Sequence, residues 1–250
     1  MRSAKRGFYP ISRNRVQADL IGIFHEFAFD GRCALGCDKV AGEIAMKVAL
    51  WGCGGHASVV FETIRAEGKH EVVAFVDDHK SGLYLARPIF KISALPRDIG
   101  AVIIATGDEA IRDKLATMVT GDGRMLGTTI HPSAVIAQGV TMGEGSVVFA
   151  GAVLQPGASI GRNCIINTCA SVDHDCIVED GAQLAPRVAL GGRALVGSRS
   201  FVGIGSAIIN GVRVGANCVI GAGSVVVKNI PDNSHAYGVP ARVVRKGEAT

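Results

Sequence analysis

The sequence predicts two fold classes in series, an α/β domain followed by an all-β parallel β-helix. Three observations carry this. Strand-like and helix-like segments alternate over residues 46–130. A strict six-residue period then runs from 134 to 229 without an insertion. Aromatic residues are only 5% of the chain while glycine numbers 33 of 250, which suits narrow, repeated layers rather than one bulky core.

Residues 1–45 fit neither period. They hold seven basic and five acidic residues among scattered apolar ones, and read as a poorly ordered leader or extension, with Met46 a candidate natural start. The basic N-terminus is not followed by an uninterrupted apolar stretch, so neither a secretory signal nor a membrane span is expected. The seven cysteines form no CxxC pair, and Cys33 and Cys37 lack histidine partners. Free thiols in a reducing cytoplasm, with no metal site, are therefore expected. A formal charge of +4 is too weak to argue for nucleic acid.

From Met46 the chain turns regular. KVALWG (47–52), HEVVAFVDD (70–78) and GAVIIATG (100–107) read as buried strands. Ser58 to Gly68 and the run 109–119 have helical spacing. Such alternation predicts a parallel sheet covered by helices, about half of a doubly wound dinucleotide fold. Gly52-x-Gly54-x-x-Ala57, placed after a strand and before a helix with Asp77 about twenty residues on, matches the dinucleotide fingerprint. Glycines there let the backbone approach phosphate oxygens, and a helix N-terminus attracts their charge. That geometry serves NAD and a nucleotide sugar equally; the adjoining His56 and the half-size domain favour the sugar.

Over 134–229 the chain divides into sixteen hexads. The third place is aliphatic in all sixteen, from Ile136 to Val226, and the first is always Ala, Ser, Cys or Val. Three hexads make one triangular coil of 18 residues, so residues 18 apart stack at about one strand spacing of ~4.8 Å. Asp173-His174-Asp175 is the conspicuous polar cluster in this repeat. Adding 18 to His174 reaches Gly192, which sets a basic ring beside a bare backbone. Either flanking carboxylate could orient the ring or support its imidazolium. Three-His zinc chemistry is not expected, because the 18-residue spacing does not bring His131, His174 and His235 together.

Residues 46–250 resemble the sialic acid O-acetyltransferase and bacillosamine N-acetyltransferase type of hexapeptide-repeat sugar acetyltransferase. The resemblance rests on Gly52-Cys53-Gly54-Gly55-His56, Val76-Asp77-Asp78, Ala105-Thr106-Gly107, Ile130-His131-Pro132-Ser133-Ala134, Asp173-His174-Asp175-Cys176 and Gly238-Val239-Pro240-Ala241-Arg242. It implies a small Rossmann-like N-terminal domain over 46–130. A left-handed parallel β-helix of hexapeptide repeats (131–229) and a C-terminal tail (230–250) would follow.

The resemblance further implies acetyl-CoA as cosubstrate, a homotrimer, and a nucleotide-linked 4-amino-4,6-dideoxysugar as acceptor for surface-glycan synthesis. A sialic acid hydroxyl is the alternative acceptor, and a non-catalytic nucleotide-sugar-binding protein the alternative of another class. His174 matches the general base, Asp175 its acidic neighbour and Gly192 a backbone N–H near the thioester carbonyl. Gly54, Gly55, His56, Asp77, Asp78 and Gly107 match positions holding the nucleotide sugar. Ile204 and Ala222 match the coenzyme A channel. Two departures stand out: Gln183 replaces a histidine that contacts coenzyme A in such proteins, and Arg187 replaces a turn glycine.

Overall fold

The computed structural model describes residues 46–246; the leader expected over 1–45 and its Cys33–Cys37 pair lie outside the described residues. The α/β part opens with β1 (Met46–Trp51), α1 (Gly55–Glu67) and β2 (His70–Val76). A hairpin of β3 (Leu83–Tyr84) and β4 (Arg87–Phe90) follows. Then come β5 (Ala101–Ile104), α2 (Glu109–Gly121) and β6 (Met125–Leu126). The sheet order is β3-β4-β2-β1-β5-β6, parallel throughout except for the β3–β4 pair. Four consecutive buried residues end β1, Val48 to Trp51, because helices or the β-helix cover both faces of a central parallel strand.

Local chemistry sets the helix ends. Gly68 stops α1 in the left-handed conformation, and its N–H donates to the Ile64 carbonyl. Asp108 caps α2, its side chain accepting from the Ile111 N–H. The β3–β4 turn places Leu85 and Ala86 at positive φ, a primed hairpin turn made without the usual Asn or Gly.

Seventeen two-residue strands, β7 (Thr129–Ile130) to β23 (Val225–Val226), then recur every six residues. They form three parallel sheets in which each residue pairs with one 18 positions away. This is a left-handed parallel β-helix. Its first strand lies five residues ahead of the first readable hexad, because the intervening His131-Pro132-Ser133 hides the period. The third-place aliphatics fill the axis. First-place residues line the corners, where Ser and Cys do one job. Ser146, Ser200 and Ser206 donate to carbonyls of the next coil, as do the thiols of Cys164 and Cys176. Burial pushes the Cys164 thiol up to about 11, marking it as packing rather than a nucleophile.

Every sixth-place residue from Gly139 to Gly223 has positive φ. Glycine adopts that conformation freely, yet Asn163, Cys169, Asp175, Arg187, Arg193, Arg199 and Asn217 hold it as well. Within the C-terminal segment, two further strands lie beyond the last hexad. β24 (Ser234–Gly238) adds to the first sheet beside Val219–Ile220, and β25 (Ala241–Lys246) folds back antiparallel upon it.

The α/β part packs on the first sheet of the β-helix. Val147, Phe149 and Ile165 share one apolar cluster with Val60 and Ile64 of α1. Thr129 Oγ1 donates to Glu67 Oε2 at 2.6 Å. Arg112 of α2 is fully buried, donating to the carbonyls of Gly107, Asn163 and Gly181 and to Gln183 Oε1.

Candidate active site

His174 and Asp175 occupy the turn between the second and third faces of the β-helix, after the strand Ser171–Val172. Asp173 Oδ1 accepts the His174 N–H at 2.7 Å and fixes the backbone of that turn. His174 Nδ1 lies 2.8 Å from Asp175 Oδ2. A carboxylate only accepts, so Nδ1 carries the proton and Nε2 keeps its lone pair free. One coil on, Gly192 lies against the ring: a Cβ there would overlap Nε2. Asp175 in turn rests over Gly157, where a Cβ would overlap its carboxylate. Glycines thus flank the pair, one from the coil before and one from the coil after. The 18-residue spacing sets the His174 ring against Gly192, as the repeat implies.

The Gly192 N–H makes no hydrogen bond among the described residues, while its carbonyl accepts from Gly211 and the Arg193 N–H donates to the His174 carbonyl. Fifth-place N–H groups have no backbone acceptor in this repeat. At Arg162, Thr168, His174, Ser198 and Ala216 a side chain fills that role; at Gly192 none does, as at Glu144, Ala150, Asp180, Ile204, Asn210 and Ala222, but only Gly192 lies against the His174 ring. The arrangement therefore offers a basic ring nitrogen beside a free backbone donor, with the His174 side chain 45% exposed for a reactant to reach. That pairing can remove a proton from a nucleophile and stabilise a developing oxyanion.

The other predicted residues divide among four places. Asp77, Asp78 and His79 line a crevice of about 410 Å³ at the carboxyl ends of the parallel strands, with Trp51, Gly52 and Thr106 and the α2 residues Ile111, Lys114, Leu115 and Met118. It lies where β2 and β5 flank β1, the position at which open α/β sheets bind ligands. Gly54 and Gly55 start α1 without a side-chain cap, and a Cβ on either would meet nothing within 4 Å. Lys80 Nζ donates to the Cys53 carbonyl at 2.6 Å and Tyr84 Oη to that of Gly54 at 3.0 Å, tethering the loop.

His56 does not enter this crevice. Its ring meets Phe149 of the β-helix edge-on at 5.6 Å and its Nε2 is buried without a partner. Burial first, and then the Arg112 charge, hold its pKa below the ordinary value. Gly107 abuts the Gln183 side chain. Gln183 is itself 8% exposed and bonded to Arg112, so it lies inside the junction between the two parts. Ile204 and Ala222 occupy one turn column, 18 apart, between the first and second faces. In a single chain the second face separates that column from His174. Ile204 is exposed. Arg112, Lys80 and Tyr84 carry no signal in the sequence: charged or polar residues beside apolar ones read as solvent-facing, and only the fold buries Arg112 and brings the exposed Lys80 and half-buried Tyr84 onto the glycine loop.

Among the described residues no group of His, Cys, Asp or Glu is placed to hold a metal ion, and no helix is long and apolar enough to cross a membrane.

Residues 47–119 match the PglD N-terminal domain family, and residues 193–228 match the bacterial transferase hexapeptide family (six repeats). PerB from Caulobacter crescentus, solved with CoA and GDP-perosamine, is 42% identical with a TM-score of 0.76, over 80% of this chain and 97% of that one. The acetyltransferase domain of PglB from Neisseria gonorrhoeae FA1090, solved with acetyl coenzyme A, is 32% identical, also at 0.76, over 80% and 99%. Galactoside O-acetyltransferase of Lactococcus lactis is 54% identical over 46 residues, 18% of this chain and 22% of that protein. The chain thus spans about a quarter or less of the curated relatives it matches. Near-complete coverage of the two solved acetyltransferases settles the family: the chain belongs to the hexapeptide-repeat sugar acetyltransferases that carry a PglD-type N-terminal domain.

Proposed function

We propose that the protein transfers the acetyl group of acetyl-CoA to the amino group of a nucleotide-linked 4-amino-4,6-dideoxysugar. The observation that carries this reading is the His174 ring. Its Nδ1 is committed to Asp175 and its Nε2 lies free against Gly192, in a chain 42% identical to an enzyme held with CoA and GDP-perosamine.

The acceptor amine attacks the thioester carbon while His174 Nε2 takes a proton from the nitrogen. Asp175 steadies the imidazolium, and the Gly192 N–H receives the oxyanion. Collapse of the tetrahedral intermediate breaks the carbon–sulfur bond, and the imidazolium returns its proton to the departing thiolate. General-base assistance of this kind contributes about 10²–10⁴-fold, and one backbone oxyanion donor about 10²–10³-fold. Cys176 is buried and bonded to the Gly191 carbonyl, which supports direct transfer without an acyl-enzyme.

A homotrimer belongs to this reading. Within one chain Ile204 and Ala222 lie a face away from His174, so a coenzyme A channel that uses all three needs the column of a second copy. A cytoplasmic location follows from the donor. The test is free-thiol release from acetyl-CoA by the full chain with GDP-, UDP- and dTDP-4-aminosugars and with sialic acid. Release with one aminosugar and amide formation on its C4 nitrogen are expected. Release with sialic acid alone would replace this reading with O-acetylation.

A further inference from the structure

The sheet-end crevice combines side chains that discriminate among nucleobases. Asp77 and Asp78 stand side by side at its rim. They are not equivalent. Asp77 Oδ1 already accepts the N–H groups of His79 and Lys80, at 2.9 and 3.0 Å, which closes the turn after β2. Asp78 is exposed and its carboxylate makes no hydrogen bond among the described residues. Across the crevice Ile111, Leu115 and Met118 recur at one helical face of α2, with Lys114 beside them. An apolar wall, a carboxylate and an ammonium, neither bonded among the described residues, therefore share one slot with His79 at its rim and Trp51 in its floor.

We infer that this crevice selects a guanine nucleotide; this rests on the nucleotide-sugar reading and narrows it. Guanine presents two adjacent donors, N1–H and N2–H, which a single carboxylate accepts in parallel, and its O6 and N7 are acceptors for an ammonium. Asp78 takes the two donors and Lys114 the acceptors, while the ring lies on the α2 wall. Uracil and thymine offer one N–H between two carbonyl oxygens, so the second oxygen of Asp78 would face a carbonyl. Adenine would turn the N1 lone pair to the same carboxylate. Such mismatches leave a charged group unpaired and are costly. The free oxygen of Asp77 remains for a ribose hydroxyl.

Trp51 is the chain's single tryptophan, so its fluorescence reports on this crevice alone. The experiment titrates the full chain with GDP, UDP, dTDP, ADP and xanthosine diphosphate. GDP should perturb Trp51 and bind at least tenfold more tightly than the other four. Asp78→Asn replaces one acceptor by a donor and should invert the order, favouring xanthosine diphosphate, whose C2 oxygen accepts from the amide; a merely structural Asp78 would weaken all ligands alike. Tighter binding of UDP, dTDP or ADP than of GDP overturns the guanine assignment and leaves the nucleotide-sugar reading intact. No perturbation by any nucleotide, with the protein folded, sinks both.

Discussion

His174 and Gly192 act as one object, because the ring lies on a backbone that has no side chain to hold it off. Replacing Gly192 by alanine would push a methyl group into Nε2, so the ring must swing away from both Asp175 and the oxyanion position. Gly192→Ala should lower kcat by about 10²–10³-fold, the loss expected for a misplaced base and donor. Melting temperature and nucleotide binding should be nearly unchanged. Steady-state kinetics beside thermal denaturation check this, and retained turnover would refute the assignment.

His56 is the second residue with a distinct signature. Its folded pKa lies below the ordinary 6.5 through burial and the Arg112 charge, so the folded protein favours the neutral ring. The unfolded chain then binds more protons between the two values, and stability rises with pH across that window. The contribution of His56 is complete above about 6.5 and is lost as pH falls through the folded value. Melting temperature should therefore fall below pH 6.5 more steeply in the wild type than in His56→Gln.

At the scale of the element, the hexad's left-handed sixth place sets the terms. A non-glycine residue there costs roughly 1–2 kcal/mol against glycine's freedom, part of which glycine returns through its more flexible unfolded chain. Arg187 is exposed and makes no side-chain bond among the described residues. Arg187→Gly should stabilise the protein by about 0.5–1 kcal/mol in urea unfolding. Asp175→Gly should match that gain in stability yet lose turnover, which separates the two roles one position can hold.

The element scale also explains what could be read from the chain. The hexad is legible because large and small residues repeat in phase, and stacking at 18 places His174 over Gly192 with no further information. Leu85 and Ala86 carry no turn signal, so the β3–β4 hairpin was invisible. Arg112 sits in an amphipathic helix where an arginine reads as solvated; its burial depends on carbonyls of Asn163 and Gly181 brought in by another part of the chain. Gln183 stands, by resemblance, where a histidine contacts coenzyme A, but in this structure the N-terminal part covers it and Arg112 donates to it.

For the whole molecule the decisive fact is that His174, the proposed base, and the Ile204–Ala222 column occupy different corners of one prism. Two defective variants, His174→Ala and Ile204→Arg, should each be inactive alone. On the proposed homotrimer, co-expression in equal amounts should give mixed assemblies in which an intact His174 meets an intact column at about a quarter of interfaces. Activity near a quarter of wild type, measured as thiol release and set against the trimer mass by light scattering, is the expected result. No recovery in a mixed trimer would mean that each chain carries a complete site.

The buried Arg112 gives the molecule a property that belongs to neither part alone. It ties the sheet-end loop at Gly107 to carbonyls of particular coils, while the base stands at its own fixed height on the same stack. The separation between the two along the axis can change only in whole coils, about 4.8 Å at a time. The prism thus works as a stepped length gauge. Asn163 and Gly181 stand one coil apart and bracket His174 in the chain, so Arg112 fixes which rung His174 occupies, and a coil inserted between them would break that grip before it could lengthen the reach.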